Sequence, residues 1–504
     1  MTRISHILRI AAAALIANLA LAGCAVGPDF RTPEAPSTTA YTATELLKPG
    51  SSAVPAAGGA AQHLVPGQEI PAQWWTLFHS AALEQLVRQA LMDNPTLAAA
   101  QATLRQSQEG LRAVVGSALV PRLDASASVS RQKISGAAFG QPDTVFSPFT
   151  LYNASINVSY ALDLFGGARR ELEFLRSQVD FQRFQLEGAY LTITSNIVTT
   201  AVKEASLRAQ IQAIQEILVV QTKQKDVVEQ QFQLGAVARS DVLAQRAQLA
   251  QTRATLPPLE KELAQTRHQL ATLTGKMPGD ALALPEFNLA ELQLPEELPL
   301  SLPSSLARQR PDIRAAEALL HAASAEIGVA TANLYPQLTL TGSYGSEAAK
   351  LNTLFTGSTA VWSLGAGLLQ PLFHGGELTA KRRAAVAAFD QAEAQYRATV
   401  LQAFQNVADV LWALDADART LAAQADAEQA ARDSFDLTQK QFQLGAVSYL
   451  SLLNAERQHQ QARIGLIQAQ ALRFADTAAL FQALGGGWWN RAPEADGPSM
   501  MRPE

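Results

Sequence analysis

The stretch Gln231-Phe232-Gln233-Leu234-Gly235-Ala236-Val237 returns unchanged as Gln441-Phe442-Gln443-Leu444-Gly445-Ala446-Val447, 210 residues later. The match extends on both sides. Asn94-Pro95 answers to Arg310-Pro311, Val120-Pro121 to Tyr335-Pro336, Phe165-Gly166-Gly167 to Phe373-His374-Gly375-Gly376, and Leu273-Thr274-Gly275 to Ala483-Leu484-Gly485. The chain therefore holds two copies of one unit, and a repeat has to be recognised before any architecture is assigned.

Each copy carries the same order of patterns. Residues 95–120 read as an Ala- and Gln-rich helix that Pro121 ends. Over 123–131, Leu123, Ala125, Ala127 and Val129 alternate with Asp124, Ser126, Ser128 and Ser130. Over 154–164, Ile156, Val158, Tyr160 and Leu162 alternate with Ser155, Asn157, Ser159 and Asp163. A period of two marks strands with one apolar and one wet face. The glycosylation-like Asn153-Ala154-Ser155 and Asn157-Val158-Ser159 fall on that wet face.

From 168 to 232 no proline interrupts, and Leu172, Val179, Leu186 and Ile193 recur every seven residues. That spacing holds a seam on one side of a coiled-coil-like helix. At ~1.5 Å per residue such a helix spans roughly 100 Å. Gly235 closes it, and a second helix is expected over 239–273, where Pro257-Pro258 should kink or interrupt it.

The second copy repeats the order: a helix over 311–334, strands over 338–346 and 361–369, and long helices over 378–442 and 448–484. Val400, Phe404, Val407, Leu411 and Leu414 form one seam, and Ile464, Ile467, Ala471, Phe474, Ala478 and Phe481 the other. The organisation expected is a signal segment 1–23, an acylated extended tail 24–80 in which residues 25–70 have little core of their own and Trp74-Trp75 and Phe78 are the first anchors, repeat 1 over 81–275, a linker 276–303, repeat 2 over 304–485 and a C-terminal tail 486–504.

Four strands are too few to close a barrel, since small closed barrels need about eight. An open sheet edge cannot face lipid with its backbone groups unpaired. If these strands span a membrane, several chains share one barrel, and three chains supply twelve strands, an even number in the outer-membrane range. The expected class is thus mixed α and membrane β: four strands plus long helices per chain, trimerising into a 12-stranded barrel with a helical tunnel. The segments 131–153 and 345–360 then form the long outer loops. The alternative is a lipid-anchored coiled-coil protein with a small solvent-exposed sheet.

The N-terminus pairs Arg3 and Arg9 with an apolar run from Ile10 to Leu21, the pattern of an export signal. It ends in Leu21-Ala22-Gly23-Cys24, a lipobox, and Cys24 is the one cysteine of the chain. Acylation of Cys24 would turn the signal into a lipid anchor, and Ala25 would direct sorting to the outer membrane. The alternative is a chance buried cysteine behind an ordinary signal. No stretch within 28–504 holds 18 consecutive apolar residues, so no membrane-spanning helix is expected there.

Net charge is −5, with no basic patch for nucleic acid. His6, His63, His79, His268, His321, His374 and His459 show no metal-ligand spacing, so neither a metal nor another cofactor is expected beyond the lipid on Cys24. Thr274-Gly275-Lys276-Met277 lacks the leading glycine and the Ser/Thr of a phosphate loop. An enzyme is not expected.

The chain resembles the TolC-like outer-membrane channel family, and within it the lipoprotein outer-membrane factors of RND efflux systems (the OprM/NodT type). The residues that carry the resemblance are the lipobox, Val26-Gly27-Pro28-Asp29-Phe30 with Pro33 and Pro36, Trp74-Trp75 with Phe78, and Asn94-Pro95. They continue with Leu162-Asp163-Leu164-Phe165-Gly166-Gly167, Arg310-Pro311-Asp312-Ile313-Arg314 and Leu369-Gln370-Pro371-Leu372-Phe373-His374-Gly375-Gly376. The resemblance implies a homotrimer, a periplasmic adaptor and an inner-membrane RND pump as partners, and a passive duct that performs no chemistry. The related channels of type I protein secretion share the fold, and a structural envelope lipoprotein is the alternative of another class.

Two regions inherit roles from the resemblance. Gly235, Ala236, Val237, Gly445, Ala446 and Val447 would form the periplasmic tips that meet the adaptor, although glycine also serves simply as a turn device. Leu450 fits the leucine ring of the closed aperture. Asn454 stands where the family has an acidic ring and supplies no charge. Arg457 follows, and Asp241 would pair with it or with a neighbouring chain; the alternative is that both are ordinary solvated residues.

Overall fold

A computed structural model describes residues 25–38, 40–43, 53–135, 137, 140, 143 and 147–491. The signal segment, Cys24, part of the loop after 135 and residues 492–504 lie outside the described residues. The elements are β1 (His63–Pro66), α1 (Ala81–Asp93), α2 (Pro95–Leu119), β2 (Arg122–Gln132), β3 (Phe149–Leu162), α3 (Gly167–Gln233), α4 (Arg239–Leu273) and β4 (Glu297–Leu300). They continue with α5 (Pro303–Gln309), α6 (Pro311–Ala332), β5 (Gln337–Ala348), β6 (Ala360–Leu369), α7 (Glu377–Gln443) and α8 (Tyr449–Ala483). The chain divides into two compact units.

The first unit comprises the described residues up to Pro33 with Thr103–Arg183 and Ala315–Arg397. Its centre is a four-stranded antiparallel sheet in the order β2-β3-β5-β6. The register aligns the faces across all four strands. Ala125 lies opposite Ile156, Ile156 opposite Tyr344, and Tyr344 opposite Trp362. Leu123, Val158, Gly342 and Leu364 form the next such row. The other face is polar and hydrogen-bonded across strands. Ser126 meets Ser155 at 3.0 Å, Asn153 donates to Glu347 at 2.8 Å, and Ser343 meets Ser363 at 2.8 Å.

The apolar face has no core beneath it: Leu123, Val129, Ile156, Tyr344, Trp362, Leu364 and Leu368 are all exposed. A soluble sheet buries its apolar face, so a sheet that turns this face outward is built for an apolar surrounding. Among the described residues strands β2 and β6 have one strand neighbour each, which leaves an unpaired hydrogen-bonding edge on either side.

The segment Ala25–Phe30 is fastened to the same unit. Val26 N–H donates to Phe165 O at 3.0 Å, and Arg170 reaches back to Val26 O at 3.2 Å and Asp29 at 2.7 Å. Phe30 stacks on His321 at 4.3 Å, and His321 bonds Glu173 at 2.8 Å. A Cβ on Gly27 would lie 2.5 Å from Gly328 Cα, and one on Gly166 would lie 2.5 Å from Ala25 Cα. Only glycine permits approaches this close.

The second unit comprises Glu34–Ala102, Phe184–Arg314 and the chain from Ala398 onward. Its main core joins Trp74, Trp75 and Phe78 to Ile197, Val198, Leu411, Leu414, Phe474 and Phe481. Trp74 stacks on Phe481 at 5.2 Å. Asn94 caps α2, accepting from Thr96 N–H at 2.8 Å and donating to Leu273 O at 2.7 Å, while Pro95 occupies the first helical position. Arg310 holds Asp312 at 2.7 Å and Ala483 O at 2.7 Å, tying the start of repeat 2 to its last helix.

Two expectations are refined here. The stretch 25–70, expected to have little core of its own, supplies a strand and the buried Ile70 in its later part. His63–Pro66 pairs in parallel with Glu297–Leu300 of the linker, a two-stranded sheet too short to show alternation in the sequence. Gln62 is buried, donating to Pro295 O at 2.9 Å and Thr477 Oγ1 at 3.0 Å, and Arg473 donates to Gln62 at 2.9 Å. Of the kink or interruption expected at Pro257-Pro258, the interruption is absent, because the helix Arg239–Leu273 runs through both.

Candidate functional site: the two helical turns

Both copies of the repeated heptapeptide form the same helix end. In the first, Gly235 N–H donates to Phe232 O at 3.0 Å and Ala236 N–H to Gln231 O at 2.9 Å. In the second, Gly445 N–H donates to Phe442 O at 2.9 Å and Ala446 N–H to Gln441 O at 2.8 Å. The glycines sit at φ +76° and +72°, the left-handed conformation that ends a helix. Leu234 and Leu444 are thrown outward, 85% and 84% exposed. Val237 and Val447 are half-buried, and Ala236 and Ala446 are exposed.

The next helices start differently. Asp241 accepts from Ala238 N–H at 3.1 Å, capping α4 from inside its first turn. Ser448 caps α8, its Oγ accepting from Ser451 N–H at 3.2 Å. Under the turns lies an apolar cluster of Val228, Val242, Tyr449, Leu452 and Leu453, with Phe442 and Val237 against it. The seven matched residues thus hold the turns, and the unmatched ones decide how the helices return.

The residues expected at the aperture separate into two sets. Leu450, Asn454 and Arg457 are exposed along α8. Asp241 is half-buried and within the chain does not pair with Arg457, one of the two partners that the sequence suggested. Its carboxylate is turned to its own helix start, and Arg457 Nε instead donates to Gln248 Oε1 at 2.9 Å. A capping carboxylate is favoured locally by the exposed N–H groups of the first turn.

Behind these residues lies a buried polar group that sequence reasoning missed. The Tyr449 hydroxyl donates to Gln245 Oε1, and Gln245 Nε2 donates to Gln221 O at 3.0 Å. Glu456 lies among them, 4% exposed, with the Gln221 side chain facing its carboxylate. Burial pushes its carboxyl up to about 7, opposed by Gln221. Burial also raises the Tyr449 hydroxyl, reinforced by Glu456 and Asp241. The signal was present: 449, 452, 453 and 456 follow the i, i+3, i+4, i+7 spacing of one helix face.

Two resting contacts can be separated in planar bilayers. Arg457→Ala removes the α8–α4 hydrogen bond, and Asp241→Ala removes a helix cap worth roughly 1 kcal/mol. Both are expected to raise resting conductance, Arg457→Ala more. Unchanged conductance in both variants removes them from the gate.

Residues 86–276 and 302–486 match the model of the Outer membrane efflux protein family. The chain belongs to this family. It is 33% identical over 461 residues to the pyoverdine export outer membrane protein OpmQ of Pseudomonas putida KT2440, covering 90% of this chain and 95% of that relative. It is 29% identical over 483 residues to the toluene efflux pump outer membrane protein TtgC of a second P. putida strain, covering 94% and 95%. Among solved structures it is similar to the outer-membrane channel OprN, with 28% identity and a TM-score of 0.81 over 92% of this chain and all of that one. The open-state MtrE outer membrane channel of Neisseria gonorrhoeae gives 25% identity and a TM-score of 0.78, covering 92% and 99%. This efflux-family chain is an outer-membrane protein of the TolC-like channel fold, the channel component of an efflux system.

Proposed function

We propose that three copies of this efflux-family chain close one barrel and form a passive exit duct. Small molecules reach it from an inner-membrane RND pump through a periplasmic adaptor that docks on the turns at Gly235-Ala236-Val237 and Gly445-Ala446-Val447. The observation that carries the reading is the four-stranded sheet with an exposed apolar face and two free edges. Such a sheet is satisfied in lipid only when other copies pair its edges. The duct performs no chemistry of its own, and Cys24 carries the lipid that anchors it.

The mass of the detergent-solubilised protein tests the assembly, with a trimer expected and a monomer overturning it. Deletion tests the transport role. The deletion strain is expected to become sensitive to some of a panel of antibiotics, dyes and solvents, or to retain a siderophore inside the cell. Loss of protein secretion with unaltered sensitivity would assign the channel to type I secretion instead. A trimer without single-channel conductance would leave a structural lipoprotein.

A further inference from the structure

The two repeats leave their strand pairs by the same motif, but only one exit is covered. After β3, Phe165 stacks on Tyr335 at 4.7 Å with the rings 21° apart. Tyr335 leads into β5, the strand paired with β3. The contact thus joins the exit of one strand to the lead-in of the neighbour beside it.

After β6, Phe373 occupies the corresponding place, yet it is 88% exposed, and Leu372 before it is 91% exposed. Among the described residues no strand lies on the outer side of β6. At the other edge of the sheet, Val120 leads into β2 as Tyr335 leads into β5. It is 56% exposed, with Leu119 exposed beside it, and no strand of the described residues lies on the outer side of β2. One apolar exit lacks a lead-in, and one apolar lead-in lacks an exit.

We propose that Phe373 of one copy packs on Val120 and Leu119 of the next copy, reproducing between chains the contact that Phe165 makes with Tyr335 within the chain. The inference rests on the shared-barrel reading and adds the contact that joins the copies. The occupant is a second copy of this chain, because the internal repeat shows what covers this kind of exit: the lead-in of the adjacent strand. Val120 presents less surface than Tyr335, and Leu119 and Leu372 enlarge the patch. Removing apolar side chains of this size from water is a main source of association energy, so the contact would weigh heavily in assembly.

The test uses the full chain in outer membranes and a short bis-methanethiosulfonate linker. The pair Phe165→Cys with Tyr335→Cys serves as the reference and is expected to link within one chain, keeping monomer mobility on denaturing gels. The pair Val120→Cys with Phe373→Cys is expected to convert most of the monomer band to dimer and trimer bands, and each single variant to give none. If the protein is a trimer by mass and the reference pair links while 120 and 373 do not, the contact is wrong and Phe373 faces lipid. If the protein is a monomer by mass, the shared-barrel reading fails with it. Phe373→Ala supplies a second readout: the trimer band is expected to dissociate at lower temperature, and an unchanged dissociation temperature counts against the contact.

Discussion

Replacing Leu234 and Leu444 together by aspartate is expected to abolish export while the assembled channel stays in the outer membrane. Both leucines stand on turns whose N–H groups at 234–236 and 444–446 are hydrogen-bonded, and neither takes part in the cluster beneath. Their loss therefore leaves the turns folded. An exposed leucine that becomes buried against a partner contributes about 2 kcal/mol, roughly 30-fold in affinity. An aspartate in the same place costs more, since a carboxylate must be desolvated. Each chain carries two such turns, so the effects multiply across the ring. The drug-sensitivity panel reads export, and the mass of the purified protein reads assembly. Normal export from the double variant would remove the turns from the docking surface.

Raising pH from 5 to 8 is expected to loosen the helix packing behind the turns, and Glu456→Gln is expected to cancel that response. Burial lifts the Glu456 carboxyl from 4.5 to about 7, so the folded chain holds its proton more tightly than the unfolded chain does. The stability this gives is complete below about 4.5 and is lost as pH rises through about 7. Above that, a buried carboxylate sits beside Gln221 and the Tyr449 hydroxyl, which keeps its own proton. The shift corresponds to roughly 3 kcal/mol, at ~1.36 kcal/mol per unit. Closed-state conductance of the unmodified channel is expected to rise between pH 5 and 8, and that of Glu456→Gln to stay flat and low. The same pH response in both would place the titrating group elsewhere.

Long-period patterns are readable in the sequence because they repeat. The seam every seven residues and the alternation of 123–131 and 154–164 each report one element that buries or exposes a whole face. The pairing of His63–Pro66 with Glu297–Leu300 is not readable, because four residues give no period and the partner lies far along the chain. The glycine turns are legible from their duplication. The Asp241–Arg457 pair fails for a local reason: a carboxylate three residues into a helix finds the N–H group beside it before it finds a cation on another helix. Glu456 escapes a reading by residue type, which assigns a charged side chain to solvent, although the spacing from Tyr449 places it inside.

The fastening of Ala25–Phe30 orders events in time. This segment touches Phe165 and Arg170 of the first repeat, and His321 and Gly328 of the second through Phe30 and Gly27. Its binding groove therefore exists only after both repeats have come together, although the segment precedes both in the chain. Contacts between positions so distant along the chain form late, since the loop they close is large. A stretch that precedes both repeats is the latch set last. Protection of Ala25–Phe30 from protease would then serve as a clock for maturation, appearing only when both halves of the chain have docked.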